Sequence, residues 1–292
     1  METIGDAELV LDARADLGEA PTWDRATRRL MWVDMTRGVV HRFDPKSGRD
    51  VEIETGRPIG VAVPTASGAI LLAAGHGFSL LDPATGRIEP VADVGPSDPA
   101  TTMNDGKCDP VGRFWAGTKD VEGCRPIGSL YRLEPGGRLA RVLGDVTISN
   151  GLAWSPDRTT MYYIDSATHA VDAFAVDTDG EVSGRRRHVA FPRSWGLPDG
   201  MTVDAEGSLW VAFWTGSAVR RIDPAGRVVS IVELPVSLVT SCAFGGEELA
   251  DLYVTSARNG LTDAELREQP HAGGLFRLRP RVGGLAQPPF AG

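Results

Sequence analysis

The sequence predicts an all-β fold: a six-bladed β-propeller with four antiparallel strands per blade, closed by a terminal strand and occupying residues 1–292 as one domain. Three observations predict it. A single unit recurs six times, glycine is abundant and scattered, and helical spacing is nearly absent. The chain has 35 glycines in 292 residues, about 12% against the roughly 7% of ordinary chains. Their even distribution marks many tight turns between short strands. Helical 3.6-residue periodicity shows only weakly, around Asp263 to Gln269.

Each unit reads as an apolar run, a polar turn, a second apolar or aromatic run ending near Asp or Thr, and a third strand that often stops at Asp-Pro. The first two runs of the six copies begin at Ala20 and Leu30, Gly60 and Ala69, Gly106 and Arg113, Gly151 and Met161, Gly200 and Ser208, and Ser241 and Asp251. Third strands follow at Val40–Phe43, Phe78–Leu81, Leu130–Leu133, Val171–Phe174, Ala218–Ile222 and Gly274–Leu278, and fourth stretches at Arg138–Leu143 and Val228–Leu234. A repeat of about 49 residues holding four short strands is the sequence form of a propeller blade. An open ring would expose sheet edges, so a terminus should complete the last blade, and Glu8–Arg14 is the expected outermost strand.

The net charge of −9 speaks against nucleic acid as a partner, since a duplex binder needs clustered cations. The one dense basic run, Arg185-Arg186-Arg187, reads as a solvated turn. No stretch approaches the roughly 18 apolar residues of a membrane helix, and Met1 to Asp6 lacks a basic and apolar leader. Three cysteines, Cys108, Cys124 and Cys242, lack metal-type spacing and suit reduced thiols in a cytoplasm. The five histidines show no paired spacing, which sets ligand or base roles aside. Trp23, Trp32, Trp115, Trp154 and Trp210 should pack between blades, and Trp195 and Trp214 should stand nearer the channel mouth.

Innermost strands line a propeller's channel, so equivalent repeat positions converge on its axis. Five residues before the turn that follows each innermost strand stand Glu19, Ile59, Asn104, Asn150, Asp199 and Thr240. Four of these carry carboxylates or amides, which predicts a site. Asp105-Gly106, Asn150-Gly151 and Asp199-Gly200 are also strong turn dipeptides, and each alone would more often be a turn than a ligand. Turn chemistry does not explain Glu19, which precedes Ala-Pro, and the shared register favours the site. Glu19, Asn150 and Asp199 form an oxygen-only set with two negative charges. It suits one hard divalent cation such as Ca, Mg or Mn, with Zn or Fe(II) less natural.

At these residues the chain resembles the gluconolactonase, regucalcin and senescence-marker-protein family of six-bladed propellers. The motifs are Leu17-Gly-Glu-Ala-Pro-Thr-Trp23, Asn104-Asp-Gly-Lys-Cys-Asp-Pro-Val-Gly-Arg-Phe-Trp-Ala-Gly-Thr118, Ser149-Asn-Gly-Leu-Ala-Trp-Ser-Pro-Asp157 and Pro198-Asp-Gly-Met-Thr-Val-Asp204. The resemblance implies a divalent metal held by Glu19, Asn150 and Asp199, with Asn104 beside it contacting substrate. It further implies sugar-lactone hydrolysis with Asp199 as general base. Thr102 stands where many relatives carry Arg, and Glu122 aligns with an acidic substrate contact.

The expected reaction is metal-assisted opening of a small lactone to its hydroxy acid. The cation polarises the carbonyl, and either Asp199 or metal-bound water serves the attack. A carboxylate on a metal is a weak base, so these two roles for Asp199 pull against each other. Rival expectations are organophosphate or aryl-ester hydrolysis at the same site, and a non-enzymatic calcium-binding regulator or scaffold. Ring size and hydroxyl pattern should be read by the loops Ser97–Met103 and Lys119–Ile127.

Overall fold

In the computed structural model, which describes residues 2–95 and 100–292, six antiparallel sheets stand around one axis. Their innermost strands are Gly18–Asp24, Val61–Pro64, Thr101–Cys108, Ser149–Trp154, Leu197–Val203 and Val239–Gly245. Each innermost strand packs on the next, and Val239–Gly245 meets Gly18–Asp24 to close the ring. Each sheet therefore buries both faces against its neighbours, and only outermost strands face water. The burial shows this directly: Leu30, Trp32, Val33 and Val40 are buried in the inner strands of blade one, whereas the outer strand Arg49–Glu54 is half-buried or exposed.

Aromatic side chains fill the wedges between blades, as the sequence predicts. Trp23 stacks on Tyr253 across the closing seam at 6.3 Å. Phe78 meets Phe114 edge-on at 5.7 Å, Trp115 meets Trp154 at 5.9 Å and Trp210 meets Phe244 at 5.8 Å. Such offset and edge contacts add about 0.5–1.5 kcal/mol each beyond area burial. The turn aspartates do more than turn the chain. Asp204 accepts hydrogen bonds from the backbone of Glu206 and Ser208, from Trp210 Nε1 (2.9 Å) and from Arg221. Asp109 does the same for Val111, Arg113 and Trp115 in blade three.

The last blade is completed by Glu8–Leu11, which pairs antiparallel with Leu275–Leu278 within the predicted stretch. Two features depart from the sequence reading. Glu2–Thr3 adds a fifth, parallel strand to the outer edge of blade five. Arg185-Arg186-Arg187 is not a turn: it lies within the outermost strand Val182–Ala190, where Arg185 and Arg187 both pair with Asp172 at 2.7 and 2.9 Å. The weak helical periodicity around Asp263 to Gln269 corresponds to a short helix, Asp263–Glu268, whose N-terminus carries a Thr262/Glu265 capping box. Among the described residues no helix is long and apolar enough to cross a membrane. All three cysteines are free.

Candidate metal centre at the channel mouth

Adjacent innermost strands crowd the axis, and this crowding shapes the site. Five of the six innermost strands break register with their second strand at the same level. The breaks fall between Glu19 and Thr22, Met103 and Gly106, Ser149 and Leu152, Pro198 and Met201, and Val239 and Ser241. A bulge inserts an unpaired residue and re-aims its side chain. Here the bulges stand where the polar residues converge. They also replace the turns that Asp105-Gly106, Asn150-Gly151 and Asp199-Gly200 suggested. Glycine is required there by proximity: a Cβ on Gly151 would lie 2.8 Å from the Asp199 carbonyl, and one on Gly200 would lie 2.0 Å from Ser241 Oγ. In blade one the corresponding residue is Ala20, held in the left-handed region at φ +48°.

Glu19, Asn104, Asn150 and Asp199 together line one cavity of about 390 Å³ at the channel mouth, with Lys119, Ser166, Trp214 and Asn259 around them. All four are buried, between 4% and 7% exposed. The other two register positions are closed off. Ile59 is packed in the core, and the Thr240 hydroxyl is bonded to the Gly18 carbonyl and to Thr255.

Loop anchors set the strands at the right height. Asp34 accepts from the amides of Asp16 and Leu17, just before Glu19, and Asp165 accepts from those of Thr147 and Ile148, just before Asn150. Within the site, Asn104 Nδ2 donates to the Ser149 carbonyl at 2.7 Å. Asn150 Nδ2 donates to Ser166 Oγ at 3.0 Å, and Ser166 donates to the Pro198 carbonyl at 2.7 Å. The amide of Asn150 is thereby oriented with its oxygen outward. Asn150 Oδ1 and Asp199 Oδ1 are both buried with no hydrogen-bond partner. Buried acceptors left unmet cost about 1–3 kcal/mol each, so the pair marks a place for a positive group.

The charge balance points the same way. Burial pushes the Glu19 carboxyl well above the usual carboxylate range, and the negative Asp199 and Asp105 push it further, against the Ala20 N–H and Lys119. Burial and Asp105 likewise raise Asp199 well above its ordinary value, opposed by Lys119, by the Asn150 amide and by the Gly200 N–H. Asp105 is raised by burial and held back by Lys107 and by the Gly106 N–H at 2.7 Å. Lys107, also buried, donates to the Met201 carbonyl at 2.5 Å, and burial lowers its pKa. Three buried carboxyls thus share two ammonium groups. A divalent cation would supply the missing charge and fill both orphaned oxygens, so the residues fit such an ion.

The remaining predicted positions are placed differently. Thr102 is half-buried and stands opposite Lys119 in the strand register, outside the cavity lining. Glu122 is exposed in the loop after Phe114–Asp120 and does not line the cavity. Of the loop Ser97–Met103, residues 97–99 lie outside the described residues. Trp214 reaches the cavity, whereas Trp195 packs over Arg220 at 4.5 Å instead. The sequence reading gave no site role to Asp105, Lys107 or Ser166, and it named Lys119 only as the start of a substrate-reading loop, whereas Lys119 stands in the strand Phe114–Asp120. Of the three missed residues, Asp105 carried a signal, as the neighbour of a register position. A separate group of ligand-type side chains, His41, Asp50 and Glu52, lies on the outer strands of blade one. There His41 stacks on Trp32 at 3.9 Å and its Nδ1 is hydrogen-bonded to Asp50 at 2.6 Å, so the ring is held by contacts within blade one.

Comparison with known proteins agrees with this architecture. The chain is 40% identical to regucalcin of Xenopus laevis over 98% of both chains. It is 39% identical to a Bacillus subtilis (strain 168) protein named "Putative sugar lactone lactonase YvrE", covering 98% of this chain and 99% of that one. The structure superposes on a crystal structure described as a calcium-binding protein, regucalcin, from Agrobacterium tumefaciens, with a TM-score of 0.93 and 28% identity over 99% and 98% of the two chains. Residues 17–258 match the family model described as the SMP-30/Gluconolactonase/LRE-like region, and the chain belongs to that family.

Proposed function

We propose that the protein is a divalent-metal-dependent lactonase that opens a small, sugar-type lactone to its hydroxy acid. The observation that carries this is the pair of buried, unpartnered oxygens on Asn150 and Asp199, which with Glu19 line a cavity of about 390 Å³. The lactonase name of the Bacillus subtilis relative and the calcium-binding description of the Agrobacterium structure support the same reading.

Glu19, Asn150 and Asp199 would hold the cation. An ion held there supplies Lewis-acid polarisation of a carbonyl and stabilisation of developing negative charge. The protein's own groups do the rest. Asn104, fixed by its bond to the Ser149 carbonyl, keeps its side-chain oxygen for a ring hydroxyl. Lys119, the one cation among the cavity's lining residues, favours the negative charge that grows on the carbonyl oxygen. Asp199 faces the cavity and accepts the proton of the attacking water. Trp214 and Leu17 give an apolar wall that limits water. Thr102 cannot offer the bidentate grip of an arginine, so hydroxyl recognition falls to Asn104 and Lys119.

The test is acid release from five- and six-membered aldonolactones by chelator-stripped protein, with Ca, Mg, Mn, Zn or Fe(II) added back singly. Turnover should appear only with cation, and Asp199→Asn should abolish it. Aryl esters and phosphotriesters run alongside decide the rival hydrolase activities. Full turnover by stripped protein, or wild-type kcat in Asp199→Asn, refutes the proposal.

A further inference from the structure

The opposite end of the channel holds a second cavity that the lactonase reading does not use. The innermost strands finish there at Cys108, Trp154, Val203 and Gly245. Beneath them the C-terminal segment crosses the ring as a strap. Gly284 N–H donates to the Leu249 carbonyl and Ala205 N–H to the Gly283 carbonyl. Farther on, Phe290 N–H donates to the Pro64 carbonyl and Ala291 N–H to the Gly112 carbonyl. The strap thus touches blades six, five, two and three, and Phe290 is buried in the core. Between strap and strands remains a cavity of about 230 Å³. For scale, a dry engineered cavity of about 150 Å³ accepts benzene.

Trp154, Phe244, Leu152 and Leu285 give it an apolar part, beside the polar side chains of Ser155, Thr202 and Gln287. Its charged lining residues are Lys107 and Arg158, and none is a carboxylate. Lys107 is 8% exposed, and its hydrogen bond goes to the Met201 carbonyl, so an ammonium with three N–H groups has donors to spare. Gln287, on the strap, lines the same cavity, and its Nε2 is buried without a partner. Unmet donors and a cation beside apolar side chains in a partly open cavity suit a ligand with an anionic end and an apolar body. The hydroxyl-rich acid made at the other mouth lacks that body.

We propose that the cavity between the strap and the ends of the innermost strands is a second binding site, for a small aromatic monocarboxylate. Its carboxylate would lie on Lys107 and Gln287, and its ring between Trp154 and Phe244. The site shares Lys107 with the channel-mouth carboxyls through Asp105, but it needs no cation bound there.

Calorimetric titration of the full chain with benzoate tests this, with benzamide and gluconate in parallel. Benzoate should bind once per chain with Kd near or below about 1 mM, and benzamide about tenfold more weakly for want of charge. Gluconate should neither bind there nor displace benzoate. Leu285→Trp, which fills the cavity, should abolish uptake, and Gln287→Leu should weaken it about tenfold. Both positions are half-buried on the strap, and unchanged circular dichroism certifies their fold where Lys107→Met could collapse the channel. Lys119→Met, at the other mouth, should bind benzoate as wild type does. No saturable uptake up to about 10 mM overturns the proposal. So does equal affinity for benzamide, displacement by gluconate, or undiminished binding in both strap variants.

Discussion

Removing divalent cation should change the stability of this protein in a pH-dependent way whose sign the site dictates. Glu19 and Asp199 are raised well above their ordinary pKa values, by burial first and by neighbouring carboxylates second. Unfolded, both titrate near about 4. The cation-free fold therefore holds protons that the unfolded chain has lost. Its stability is fully present below the unfolded values and falls as pH rises through the folded ones. A bound cation replaces those protons, so its effect should be small at acid pH and grow as pH rises through the folded values. With free cation at about 100 times Kd the stabilisation is about 2.7 kcal/mol. For 292 residues the unfolding entropy is about 0.6 kcal/mol/K, giving a rise in Tm of about 4 °C. Thermal unfolding followed by circular dichroism, with chelator or with calcium at a series of pH values, measures it. Glu19→Gln/Asp199→Asn should lose both the calcium response and this part of the pH slope. An equal calcium shift in the double variant, or a shift that is largest at acid pH, would refute the reasoning.

Three further outcomes follow from the same contacts. Ser166→Ala frees the Asn150 amide to rotate and should weaken calcium affinity about tenfold in a calorimetric titration, with Tm in chelator little changed. Lys119→Met removes the cation that lowers both Glu19 and Asp199, so the acid limb of the pH–rate profile for lactone hydrolysis should move to higher pH. Phe290→Ala empties the strap's anchor in the core and should cost about 3–5 kcal/mol in urea unfolding, leaving the channel-mouth residues in place.

Much of this architecture was legible because repetition amplifies weak signals. A single Asn-Gly says turn, but Glu19, Asn104, Asn150 and Asp199 at one register position say axis, and the structure gathers all four in one cavity. The turn reading of those dipeptides, which the shared register outweighed, does not hold, and the reason is physical. Glycine answers to crowding between innermost strands, which depends on the ring and not on local chemistry. Asp105 and Lys107 were hidden for a similar reason, since a buried pair on the channel axis looks like ordinary strand polarity until the ring is closed. The run Arg185 to Arg187 is exposed as read but lies in a strand and not a turn, and its pairing was hidden because Asp172, the partner of Arg185 and Arg187, is 13 to 15 residues away on the facing strand. The strap carries no strand pattern in its Gly- and Pro-rich sequence, and its position is fixed by scattered backbone bonds and by Phe290.

The most direct test of the central claim is anomalous diffraction from crystals grown with excess calcium, or with manganese in its place. The account predicts one anomalous peak on the channel axis, with a Glu19 carboxylate oxygen, Asn150 Oδ1 and an Asp199 carboxylate oxygen all at about 2.3–2.6 Å from calcium. A peak at His41, Asp50 and Glu52 alone, or no axial peak at saturating cation, would contradict it.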